Sequence, residues 1–249
     1  MINEATAIEI ERAPLDPVYL VAGGKGGVGK SMMALVLIDQ LLWMGKKVLY
    51  FETDTSNADV WFCLERDGKN APADPIAGVV MHALDLELPD SWGLMLTLIE
   101  SHPDHTVVLG TASQSDKNIR RNGDIFKIGL PMIRRNVVTF WVIDEQRDSV
   151  MLLKDHLDVF PDAETHVIKN SKHGPHFPYY EKSDVQATVE SKGGVSLLLP
   201  RLPLCVVNSL YSERLSISQA LETLPIGNKV LLIQFRNACK ALLRPLLSR

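Results

Sequence analysis

No apolar run in this chain approaches the ~18 residues that a membrane-crossing helix needs. No basic, apolar leader opens it: Met1 to Pro17 carries four acidic residues and one arginine, which excludes the pattern of a secretory signal. Cysteine is scarce. Cys63, Cys205 and Cys239 lie far apart, with no CxxC pair and no metal-ligand spacing. They are expected to be reduced core thiols of a cytoplasmic protein. An excess of basic charge is lacking too. The formal net charge of −4 predicts no general attraction to nucleic acid, so any DNA contact must come from a local patch. Internal repeats and low-complexity segments are absent.

What is present suits a soluble α/β protein with a full core: 249 residues, 46% apolar and 22% charged. The expected organisation is a polar leader over residues 1–17. A single domain over 18–249 follows and ends in a basic amphipathic helix. Val18 to Ala22 reads as a short buried strand and Ser31 to Met44 as a helix, with Gly45 placed to end it. Val48 to Phe51 is a second strand, so the chain begins strand–loop–helix–strand, as a parallel crossover requires. Residues 67–78 are rich in turn formers and are expected to be a surface loop. Further strands are expected at Val107–Leu109, Val137–Ile143, Thr165–Lys169 and Ser196–Leu199, with helices over Trp92–Glu100 and Asp148–Val159. Strands rich in Val, Ile and Leu without polar alternation fit a doubly wound, mostly parallel sheet with helices on both faces.

The most informative segment is Gly24-Lys25-Gly26-Gly27-Val28-Gly29-Lys30-Ser31, which matches G-x-x-x-x-G-K-[ST] between a strand and a helix. Glycines let backbone N–H groups converge on phosphate oxygens, and the helix start adds its positive dipole end. In that context Lys30 reaches the β- and γ-phosphates and Ser31 ligates Mg²⁺, so the ligands expected are ATP and Mg²⁺. Met32 follows in the same first turn and is counted with the nucleotide-binding residues.

Lys25 sharpens the reading. Gly23 to Ser31 resembles the deviant Walker A motif of the ParA/MinD family of ATPases, K-G-G-x-G-K-[ST]. The resemblance implies that Lys25 crosses a dimer interface to the partner's nucleotide. Glu52-Thr53-Asp54 resembles the family's D-x-D segment. A carboxylate there can orient the attacking water or hold the metal shell, and Asp54 is expected in that role, with Asp59 a solvated loop residue. His105 to Ala112 falls where the family's Walker B strand ends in D-T-P, but Gly110 stands in place of the aspartate. That departure puts the rate of hydrolysis in doubt more than nucleotide binding. Thr165 to Asn170 resembles the strand whose terminal asparagine reads the adenine, and Leu202-Pro203-Leu204 resembles the late turn beside the base; these implicate Asn170 and Pro203. The branch most similar in look is the conjugation-associated one of TraL, MobD and StbB type proteins.

The partners implied are a second copy of the chain, bound in an ATP-dependent homodimer, and relaxosome or type IV secretion proteins. Two basic regions keep nonspecific DNA and a membrane surface open. One is Lys117, Arg120, Arg121, Lys127, Arg134 and Arg135. The other is the stretch from Thr223 to Arg249, with five basic residues and no acidic one. On the latter, Phe235, Ala238, Cys239, Leu242 and Leu246 share one helical face, while Arg236, Lys240 and Arg244 line another. A last helix docked on the sheet with a solvated basic face is the plainer alternative. His173-Gly174-Pro175-His176 is a poor metal site, lacking cysteine or a carboxylate pair. Rival functions are an ATP-dependent synthetase or ligase of the same fold, or a non-hydrolysing adaptor.

Overall fold

A computed structural model of the chain describes residues 14–65, 76–113 and 115–248. Residues 1–13 of the expected leader lie outside it, as do residues 66–75, which take in 67–75 of the expected surface loop. The order begins β1 (Val18–Ala22), α1 (Lys30–Trp43), β2 (Lys47–Glu52), α2 (Asp59–Leu64), β3 (Val79–Ala83) and α3 (Pro89–Glu100). It continues with β4 (His105–Gly110), α4 (Asp116–Met132), β5 (Val137–Ile143), α5 (Arg147–Val159) and β6 (Glu164–Asn170). Then come α6 (Pro178–Glu181), α7 (Asp184–Ser191), β7 (Ser196–Leu199), α8 (Leu204–Ser212), α9 (Ile217–Thr223) and α10 (Ile226–Leu247).

The strands form one sheet in the order β3-β2-β4-β1-β5-β6-β7, and every pairing is parallel. The all-buried runs Val18 to Ala22 and Val137 to Ile143 follow from this, since a parallel sheet is covered on both faces. Two core clusters divide by face. One joins Val48, Tyr50 and Val108 to α1, α2, α8, α9 and α10. The other joins Leu49, Leu109 and Trp141 to α3, α4, α5, α6 and α7. The expected doubly wound sheet is the one observed.

The sequence marks out neither α2 nor α6 through α9, and two further departures are instructive. β3 is an additional edge strand, too short and too close to a turn-rich stretch to stand out in the sequence. α4 is a 17-residue helix through Gly123, Gly129 and Pro131, residues that argue against a helix when read alone. Packing overrides propensity there. Ile119, Phe126 and Leu130 are buried at helical spacing, and a Cβ on Gly129 would stand 2.4 Å from Leu96 of α3. Cys63 and Cys239 are core thiols, pushed up to about 12 by burial, but Cys205 is exposed, against expectation.

α10 is docked, as in the plainer alternative, but on α1 rather than directly on the sheet, and part of its basic face is engaged there. Leu232, Phe235, Cys239 and Leu243 are buried in the cluster that includes α1. Arg236 Nε donates to Asp39 Oδ2 of α1 at 2.8 Å, and Lys240 Nζ lies 3.4 Å from the ring centroid of Trp43. The helix runs only two residues past Pro245. Among the described residues no helix is long and apolar enough to cross a membrane.

Candidate functional site

The glycine loop leaves β1 at the carboxyl end of the sheet and enters α1 directly. That is where ligands of open α/β sheets bind. Gly29 takes φ 105°, a left-handed conformation costly for other residues, and a Cβ there would stand 2.3 Å from Asn170 Nδ2. Gly24 serves packing instead: a Cβ would meet Leu152 of α5 at 2.2 Å. Lys30, Ser31 and Met32 form the first turn of α1, and no side chain caps its N-terminus. The first amides of the helix therefore remain available to an anion.

A cavity of about 750 Å³ opens over this loop. Gly26, Gly27, Gly29, Lys30, Ser31 and Met32 form its floor, Glu52 and Asp54 one side, and Asn170 with Pro200, Arg201 and Leu202 another. The structure thus brings most of the sequence-derived residues together. Gly24, Lys25, Val28 and Pro203 stand outside the lining. Val28 is buried beneath the loop, and Pro203 stands just before α8 while Leu202 and Leu204 face the cavity. Asp59 is the first residue of α2, accepts from Asn57 Nδ2 at 3.1 Å and lines the cavity, so it is more than a solvated loop residue.

Local contacts fix the functional side chains. Lys30 Nζ donates to the Lys25 carbonyl at 3.0 Å, curled back over its own loop. Lys25 Nζ donates to Gln146 Oε1 and lies 3.9 Å from Asp144 Oδ2, in the turn between β5 and α5. Asn170 spends both ends of its amide internally. Nδ2 donates to the Val28 carbonyl at 2.7 Å, and Oδ1 accepts from Lys172 N at 3.1 Å. In this arrangement the side chain latches the glycine loop to β6. Asp54 Oδ1 accepts from Asn57 N at 3.0 Å, closing the turn after β2.

Glu52 is the residue that sequence reasoning undervalued. It is 4% exposed at the end of β2, yet it lines the cavity. Tyr50 Oη donates to its Oε2 at 2.9 Å and Asp54 N donates to its Oε1 at 3.0 Å. Burial raises the carboxyl to about 7, against the pull of those hydrogen bonds. The same burial, with the nearby carboxylate, holds the Tyr50 phenol well above its ordinary value. The donors present are a left-handed glycine loop, a helix N-terminus, a lysine, a serine and a buried carboxylate. These fit a polyphosphate with a hard divalent cation.

The basic regions are largely spoken for. Arg135 is buried, with its guanidinium on the carbonyls of Asp16, His102, Pro103 and His105. Arg120 pairs with Asp155 and Lys127 with Asp124. Arg236 and Lys240 of α10 are likewise engaged, by Asp39 and Trp43 of α1, so several cations of both regions already have partners.

Comparison with known proteins agrees with this geometry. Residues 19–244 match the CobQ/CobB/MinD/ParA nucleotide binding domain. Protein MobD of Acidithiobacillus ferrooxidans is 37% identical over 228 residues, 91% of this chain and 96% of that protein. Among solved structures, the MinD cell division protein of Aquifex aeolicus superposes with TM-score 0.58 at 14% identity, covering 94% of this chain and 97% of that one. The septum site-determining protein MinD of Pyrococcus horikoshii OT3, complexed with Mg-ADP, gives 0.58 at 15% identity, with 89% and 95% covered. At such identities these two structures speak for the fold. The family match and the MobD similarity span most of the chain, and it belongs to the CobQ/CobB/MinD/ParA nucleotide-binding family.

Proposed function

We propose that this chain binds ATP with Mg²⁺ and acts as an ATP-dependent dimerising switch in plasmid DNA mobilisation. The observation that carries the reading is the glycine loop with its extra lysine, set between a buried strand and an uncapped helix at the mouth of a nucleotide-sized cavity. The loop amides and Lys30 hold the phosphates, and Ser31 ligates the cation. Mg²⁺, when bound, neutralises charge that builds on the phosphate oxygens. Asp54, at the cavity edge, orients a water for in-line attack on the γ-phosphate. Lys25 reaches from one protomer to the nucleotide of the other. Resemblance to the conjugation-associated branch and similarity to MobD support the mobilisation setting, with a relaxosome or secretion component as partner of the dimer.

The test is calorimetric. Lys30→Ala removes the cation at the β- and γ-phosphates and is expected to weaken ATP binding at least tenfold, about 1.4 kcal/mol. Unchanged affinity would end the assignment. Gly110 favours a second reading, an adaptor that binds ATP without hydrolysing it, because β4 ends without a carboxylate. Steady-state phosphate release from the purified protein separates the two.

A further inference from the structure

Glu52 and Gly110 are register partners on β2 and β4. Laterally paired residues of a parallel sheet point to the same face, on strands ~4.8 Å apart, and the residue two positions earlier shares that face. Tyr50, Glu52 and the missing side chain of Gly110 therefore all face α1, whose first turn carries Ser31. A Cβ built on Gly110 would stand 2.5 Å from Tyr50 Oη and 3.2 and 3.3 Å from two ring carbons. Tyr50 is fully buried in a packed cluster and cannot swing aside. The phenol occupies the space that a side chain at position 110 would need.

That phenol does more than fill space. It donates to Glu52 Oε2 at 2.9 Å while Asp54 N donates to Oε1 at 3.0 Å, so both carboxylate oxygens are held. Each keeps lone-pair capacity for a further partner. Thr53 ties the two strand ends together, donating to the Gly110 carbonyl from N at 3.2 Å and from Oγ1 at 2.9 Å. The Asp54 carboxylate lies beyond the strand end and is engaged in a turn.

We propose that Glu52, positioned by Tyr50, holds the shell of the Mg²⁺ ion in place of the carboxylate that β4 lacks at Gly110. The metal-holding role is moved sideways by one strand, and Tyr50 and Gly110 are the two halves of that exchange. The inference rests on the Mg²⁺-nucleotide reading above.

The experiment titrates a fluorescent ATP analogue with and without Mg²⁺ and reads the ratio of the two affinities. Wild type is expected to tighten with the metal. Glu52→Gln is expected to lower that ratio by about 10–100-fold, the usual cost of losing a group that orients a metal site. Tyr50→Phe keeps the ring and loses only the hydroxyl, so the ratio is expected to fall by about three- to tenfold. The triple variant Tyr50→Val, Glu52→Gln, Gly110→Asp returns a carboxylate to β4 and is expected to regain the metal effect. The inference is overturned if Glu52→Gln, or Tyr50→Phe should the former not fold, keeps the wild-type ratio. It is also overturned if Asp54→Asn abolishes the metal effect while Glu52→Gln keeps it. Wild type that binds no nucleotide in either titration would overturn the nucleotide reading itself.

Discussion

At the scale of single residues, burial decides most of the chemistry. His156 of α5 sits in the core against Trp141 and Phe160, with Nε2 3.1 Å from Thr139 Oγ1. Burial pushes its imidazolium down to about 3, so the ring is neutral in the folded protein. An unfolded chain takes up that proton near its ordinary value of ~6.5. Stability is therefore complete above pH ~6.5 and is lost as pH falls below it, at up to ~1.4 kcal/mol per pH unit. Between pH 6.5 and 5 the wild type is expected to lose about 2 kcal/mol more than His156→Gln, read from urea midpoints. Parallel pH profiles for the two proteins would refute a neutral buried His156. The phosphate-loop residues could be named from the sequence because their spacing is local. The partnership of Tyr50, Glu52 and Gly110 could not, because it depends on which residue of β2 lies beside which residue of β4.

At the scale of elements, the opening strand–loop–helix–strand was legible because its glycines and apolar runs follow one another without interruption. β3 and α4 were not. An edge strand carries little apolar signal, and a helix containing two glycines is specified by what it packs against. The pairing of α1 with α10 was legible only as amphipathicity. α1 is buried from Met33 through Leu41, Asp39 and Gln40 included, so the one charged group of that stretch, Asp39, needs a partner. Arg236 supplies it, while burial still raises the Asp39 carboxyl above its ordinary value. Arg236→Ala is expected to cost about 2 kcal/mol by chemical denaturation. Asp39→Asn in the same chain should recover part of it, since the buried charge is then gone. Additive losses in the double variant would show that the pair does not hold the two helices.

At the scale of the whole molecule, the proposed switch depends on Lys25 leaving its own chain. In the monomer it is tethered to Gln146 and lies near Asp144. Lys25→Ala is expected to remain monomeric with a non-hydrolysable ATP analogue, at concentrations where the wild type dimerises, as read by light scattering. A variant that dimerises normally would remove the cross-interface role. The contact between α1 and α10 has a consequence for how the protein is made. α1 ends at residue 43 and its cover begins at residue 226. At the ~5–20 residues per second of protein synthesis, the apolar flank of the phosphate-loop helix waits on the order of ten seconds or longer for its shelter. Until α10 is made, the face that α2, α8 and α9 also cover lacks its last helix, and the part of its oily surface left open makes the nascent chain a natural client for a chaperone at the ribosome exit.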